Sequence, residues 1–171
     1  RFPGADYSSY GVLGGDGEIQ SFRIPPALKN LKAVAIMPRL RINNSVNLNG
    51  RVYFRELPIY AEASRGLEFL LAPQLTLRPT RSLSLSVDPT YARLSRRRDD
   101  TVFSTAIVTR VTSQYQFNKA FFARLLVQYN LEERAALEDP LSGRPLTYDG
   151  SVVGERDGGT VQGQFLVELL V

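Results

Sequence analysis

The chain has 171 residues, 43% of them hydrophobic and 22% charged, with 21 basic against 17 acidic side chains and a formal charge of +4. It has no Cys and no His, which excludes disulfides, thiolate and imidazole metal sites, and the Ser-His and Cys nucleophiles of most hydrolases. Carboxylate, Lys or Tyr chemistry is left, or none. No apolar run reaches the roughly 18 residues of a transmembrane helix, and no signal peptide is visible. The chain opens on Arg1 and ends on the apolar stretch Phe165 to Val171, so it reads as a piece of a longer protein.

Residues 1–31 are rich in Gly, Pro, Ser and Tyr and read as a loop-rich lead-in, with a short extended segment near Ile19 to Ile24. "GVLGGDG" (11–17) lacks the Gly-Lys-Ser/Thr of a phosphate loop and reads as a flexible loop. From residue 32 the hydrophobic period is two, the signature of strands. Val34, Ile36, Pro38, Leu40 and Ile42 alternate with Ala33, Ala35, Met37, Arg39 and Arg41. Val46, Leu48, Val52 and Phe54 alternate with Asn47, Asn49, Arg51, Tyr53 and Arg55. Further strands are expected over 67–78, 82–91, 103–117, 121–130 and 161–171, which makes about seven long strands. Pro38, Pro73 and Pro89 fall on the apolar phase inside these strands. Proline cannot donate to a ladder, so bulges or strand boundaries are expected there.

The connections predict short turns at 43–45, 79–81 and 118–120, and longer loops at 57–66, 95–101 and 131–160, with a helical turn over 131–137. Alternating short and long connections between strands of this length are expected of an outer-membrane β-barrel. The fold class read from the pattern is all-β: an antiparallel up-and-down meander, part of a transmembrane barrel. Residues 32–171 would be the barrel segment. With the short turns placed at the bottom, Phe54, Phe69, Tyr91, Phe103 and Tyr129 fall at the upper ends of the apolar faces. Tyr115, Phe117 and Phe121 fall at the lower ends. Together they predict two aromatic girdles facing lipid. The opposite face carries Arg39, Arg51, Arg110, Gln114, Arg124 and Gln128, the candidate lumen lining. A soluble all-β sandwich or small barrel with its polar face in water produces the same alternation.

No catalytic, cofactor-binding or metal-binding motif is singled out. Glu132, Glu133, Glu138, Asp139, Asp149, Glu155 and Asp157 lie in the long loop, without the spacing of a calcium loop and balanced by Arg134, Arg144 and Arg156. Arg96-Arg97-Arg98 is answered at once by Asp99-Asp100. No basic patch is interleaved with aromatics, so nucleic acid is not an expected partner.

From about residue 67 the stretches "LTLRPTRSLSLSV", "SQYQFNKAFFARLLVQYN" and "ALEDPLSGRPLTYDGSVVG" resemble the C-terminal barrel of a bacterial outer-membrane family of unknown function. In that family the barrel follows a family-9-like carbohydrate-binding module. The resemblance implies a bacterial outer-membrane location with lipid as the direct partner. It also implies a pore or anchor role linked to glycan through an upstream module outside these residues. No catalytic motif carries over, although an outer-membrane hydrolase is a third reading.

Overall fold

The computed structural model describes residues 7–26, 28–119, 121–148, 151–153 and, as backbone, 160–170. In chain order its strands are β1 (Tyr10–Leu13), β2 (Ile19–Ser21), β3 (Ala33–Ile36), β4 (Arg39–Arg41), β5 (Val46–Ile59), β6 (Ser64–Leu77) and β7 (Leu83–Arg96). There follow β8 (Val102–Gln116), β9 (Phe122–Arg134), β10 (Leu146–Tyr148), β11 (Ser151–Val152) and β12 (Thr160–Leu170). The protein is all-β and antiparallel.

The larger sheet, called the wall below, runs β12-β9-β8-β7-β6-β5-β3, with β4 also on β5. From β5 to β9 each strand pairs with its sequence neighbour, so this part is an up-and-down meander of strands 13 to 15 residues long. Soluble strands centre near 5 to 6 residues. Among the described residues β3 and β12 do not pair with each other, so no closed barrel is seen.

The second sheet, of order β11-β10-β1-β2, is short-stranded and forms a cap. Here the glycine-rich lead-in departs from the expected loop. Gly14 and Gly17, the latter at φ +84, close a β1-β2 hairpin. A Cβ on Gly11 would lie 2.4 Å from the Ile19 side chain and 2.6 Å from Thr147 Oγ1. Glycine therefore lets β2 and β10 close on β1 from either side. Because β1 pairs with β10, the lead-in and the long 135–159 connection belong to one structure.

Three other expectations are corrected. β5 continues to Ile59 and β6 starts at Ser64, so only the single 3-10 turn Tyr60–Glu62 and Ala63 connect them. The β7-β8 connection is only 97–101. The turns at the other end, 42–45, 78–82 and 117–121, are of similar length. The loop alternation thus rests on the 135–159 connection alone. The first hairpin zips further than the pattern suggests because Ile59 packs on Gly66, where a Cβ would come within 3.0 Å of it. The helical turn expected over 131–137 is not formed, since β9 runs on to Arg134.

The prolines follow a single rule. Pro38 divides the expected first strand into β3 and β4. Its carbonyl accepts from Gly50 N–H at 2.9 Å, Gly50 is in register with Pro73, and the ladder register places Pro73 opposite Pro89. A residue in an antiparallel strand turns its N–H and C=O to the same neighbour. Since Gly50 faces β4, Pro73 and Pro89 face each other, and neither can donate. The β6-β7 ladder accordingly has a gap between Leu71↔Tyr91 and Leu75↔Val87, with no change of register. Pro73 and Pro89 mark neither bulges nor boundaries. The irregularity in this pairing sequence lies elsewhere, between β7 and β8 at Leu94/Ser95.

The buried residues gather in and under the cap. Tyr7, Val12, Ile59, Ala63, Phe103 and Leu146 are buried there, and in the wall's middle, among the described residues, only Ala72 joins them.

Candidate functional site

The register sorts the wall into two faces. Pairs such as Val52↔Leu71, Phe54↔Phe69, Val87↔Val111 and Val111↔Val127 set an apolar face across five strands. Leu40, Leu48, Leu71, Val111 and Leu125 on it are all exposed. No second layer covers either face among the described residues.

Arg39, Arg51, Arg110, Gln114, Arg124 and Gln128 all share the opposite, polar face. Arg39 opposes Asn49, two residues from Arg51; Asp88 opposes Arg110, which opposes Gln128; Gln114 opposes Arg124. They do not form one cluster. Arg39, Arg51 and Arg110, with Asn49, Gln74, Asp88 and Thr90, line a trough of about 670 Å³. This trough spans β4 to β8. Gln114 and Arg124 lie at the lower end, outside it.

Neighbouring side chains on the polar face hold the trough's Arg110 and Asp88. Arg110 Nε and Nη2 donate to Gln128 Oε1 at 3.0 and 2.8 Å. Gln128 Nε2 donates to Asn130 Oδ1 at 3.0 Å. The Ser86 hydroxyl donates to Asp88 Oδ2 at 2.7 Å, while Asp88 Oδ1 is buried with no hydrogen-bond partner. Three arginines therefore line the trough against one carboxylate.

The aromatic residues form an oblique belt. Phe54 and Phe69 are in register with ring centroids 5.0 Å apart, and Tyr91, 6.3 Å from Phe69, sits one side-chain step lower. Following the register from Phe69 through Arg93 and Thr105 leads to Glu133, and Tyr129 lies four residues below Glu133. The belt thus descends four residues from β5 to β9. A level plane across strands about 4.8 Å apart and tilted by about 40° drifts by roughly five residues over that distance. Tyr115 and Phe117, 4.8 Å apart, stand at the other end with Phe121, all exposed. On the Phe121 side the two belts are separated by about 20 Å of height, using a rise of about 3.3 Å per residue and the same tilt. A barrel's lipid-facing band is about 25 Å.

Phe103 does not join the belt. At the β7-β8 irregularity Ser95 opposes Val102 and Leu94 opposes Ser104, leaving Phe103 as the extra residue. Its ring is buried, with the Arg96 guanidinium carbon 5.4 Å from its centroid.

Arg96 is the centre of a buried knot that nothing in the sequence pattern indicates. Its Nε donates to both Glu62 oxygens, at 3.1 and 3.0 Å, and Nη2 donates to Glu62 Oε1 and the Ala136 carbonyl. Glu62 Oε1 also accepts from Glu138 N–H at 2.9 Å. Glu62 and Arg96 are 1% and 4% exposed. The pair ties the β5-β6 turn, the end of β7 and the 135–159 connection together. The Tyr7 hydroxyl adds a bond to the Tyr60 carbonyl at 2.5 Å. Burial, then the neighbouring Tyr10 and Tyr60, raises the Tyr7 pKa. Beside the knot, Thr101 and then Arg98 hold the Asp99 carboxyl well below the usual carboxylate range.

Of the acidic residues considered for calcium, Glu138 is held by Arg98 and Arg96, Glu132 pairs with Arg134, and Asp139 accepts from Ser142. Asp149, Glu155 and Asp157 lie outside the described residues. No group of three or more metal-ligating side chains occurs among the described residues. No helix there is long and apolar enough to cross a membrane, which leaves strands untested.

No protein-family model, curated protein or solved structure matches the chain.

Proposed function

We propose that the wall is part of a transmembrane β-barrel of the outer-membrane type, its apolar face in lipid and its polar face lining a water-filled lumen. The observation that carries this reading is the exposed apolar face running across strands 13 to 15 residues long. A contiguous apolar surface of that extent needs a cover, and strands of this length with tilt match a bilayer. The oblique aromatic belt supports the same arrangement. Among the described residues the outer edges of β3, β4 and β12 have no partner strand; further strands would meet them, since a spanning sheet must leave no open edge in lipid.

In this reading the role is a pore or a membrane anchor. The cap is tied to the upper end of the wall through Arg96 and Glu62, which hold Ala136 and Glu138 of the connection that carries β10, and through the Tyr7–Tyr60 bond. The proposal extends to the resemblance noted above: a C-terminal barrel serving an upstream carbohydrate-binding module. As a pore, the lumen would favour anionic solutes: the polar face sets Arg39, Arg51, Arg110 and Arg124 against Asp88, while its Glu68 and Glu132 are already paired with Arg55 and Arg134. The test is conductance of the full-length protein in planar bilayers, with those four arginines changed to Glu singly and together. Anion preference that falls stepwise and inverts supports the pore. Unchanged ion selectivity contradicts it.

A further inference from the structure

We propose that the upper rim of the apolar face binds the phosphorylated headgroup of a lipid in the facing leaflet. The inference rests on the membrane reading above.

Its core is Arg93. The register puts this guanidinium on the apolar face, beside Phe69 and in the same row as Phe54. An arginine there faces lipid at the level of the aromatic belt, where headgroups begin. Among the described residues its side chain makes no ion pair and no hydrogen bond. Arg97 and Lys32 border the same groove, of about 560 Å³, and their side chains are likewise unpaired among the described residues.

The acids of the groove do not answer these cations. Glu56 is taken by Arg65, 3.5 Å away, and Glu68 by Arg55. Asp100 alone is left against Arg93, Arg97 and Lys32. The groove therefore offers two guanidinium forks and one ammonium above an apolar floor of Val34, Phe54 and Phe69. Guanidinium groups match phosphate oxygens in bidentate fashion. The floor suits the first methylenes of an acyl chain. A soluble phosphate would use the cations and leave the floor bare, so the geometry favours the lipid.

The experiment uses the full-length protein in nanodiscs of phosphatidylcholine doped with diphosphorylated lipid A, or with the same lipid stripped of its phosphates. The readout is the lipid retained by the protein in native mass spectrometry. Insertion is checked separately by protease protection in vesicles. The expected result is selective retention of the phosphorylated form, weakened about fivefold per charge removed in Arg93→Gln and Arg97→Gln. Arg144→Gln, in an exposed loop, should retain it fully. Equal retention of the stripped lipid overturns the proposal, as does indifference to the Arg93 and Arg97 variants. Displacement by inorganic phosphate at equal concentration also overturns it, in favour of a soluble-anion site. A protein that inserts yet shows no headgroup preference refutes this inference alone. A protein that does not insert refutes the membrane reading and this inference with it.

Discussion

In the wall, Leu71, Val111 and Leu125 are exposed on long strands, and the ladders between neighbours carry the structure. In the cap, the strands are two to four residues long, yet Leu146 and Thr147 lose nearly all their surface, as does Glu62 of the adjoining β5-β6 turn. A strand of two to four residues has too few ladder bonds to hold itself, so the cap needs side chains: a small apolar core and a buried ion pair. The wall has ladders enough but no core among the described residues, and in the proposed arrangement lipid covers its apolar side. The difference teaches where each region is vulnerable. The cap should fail when a buried side chain is removed, and the wall when its surroundings change.

The sharpest way to break that comparison is Arg96→Ala. Removing one partner of a buried pair leaves the Glu62 carboxylate uncompensated, at a cost of about 3–5 kcal/mol. Amide exchange in detergent-solubilised protein should accelerate at Leu146 to Tyr148 while β7-β8 stays protected. Loss of protection in both regions together would mean that wall and cap are one cooperative unit.

Two phenylalanines give a matched contrast. Phe103→Ala empties a buried site and should cost about 3–5 kcal/mol in thermal unfolding. Phe54→Ala, on the exposed belt, should change unfolding in detergent much less and show itself in bilayer insertion instead. Equal losses in detergent would contradict the placement of Phe103 off the belt.

Gly66→Val tests the join between the regions. The added Cβ would meet Leu94 Cδ1 at 2.7 Å and Ile59 at 3.0 Å. Overpacking of this kind costs about 1–3 kcal/mol, and unfolding curves should show it. Gly15→Val, with nothing within 4 Å of its Cβ, should be near neutral.

The smallest effect belongs to the prolines. Changing Pro73 and Pro89 together to Val supplies the two missing donors. Each new ladder bond is worth about 0.5–1.5 kcal/mol, and the greater freedom of the unfolded chain offsets part of it. The expected result is little net change in stability, with slow exchange of the new amides at 73 and 89. Fast exchange there would show that the ladder gap has another cause.

Much of the wall was legible because alternation and register are two expressions of the same pleat. Once Leu48, Val52 and Phe54 are read as one set, the pairing to Leu75, Leu71 and Phe69 keeps them on one face. That is why Arg39, Arg51, Arg110, Gln114, Arg124 and Gln128 share the other. The errors arose where a second influence overrode the pleat. A bulge adds one residue and turns Phe103 under Arg96, which alternation alone does not register. Glycines at 11, 14 and 17 resembled a loop: the close approach at Gly11 becomes visible only when β10 is in place, while Gly14 and Gly17 serve the β1-β2 turn, Gly17 at positive φ. The upper ends of β5 and β6 looked like loop because Pro58 and Gly66 interrupt the pattern, although Pro58 pairs with Arg65 across the ladder. The pair Glu62 and Arg96 lies far apart in the chain, with no local spacing to announce it.

In the proposed arrangement the two faces of the wall meet different solvents. Spin labels placed singly at residues 106 to 113 of β8, in full-length protein reconstituted in lipid vesicles, test it directly. The account predicts a period of two. Labels at 107, 109, 111 and 113 should collide mainly with oxygen dissolved in lipid, and labels at 106, 108, 110 and 112 with a water-soluble nickel chelate. Labels accessible to the water-soluble reagent at every position, or shielded from both reagents on the apolar phase, would contradict it.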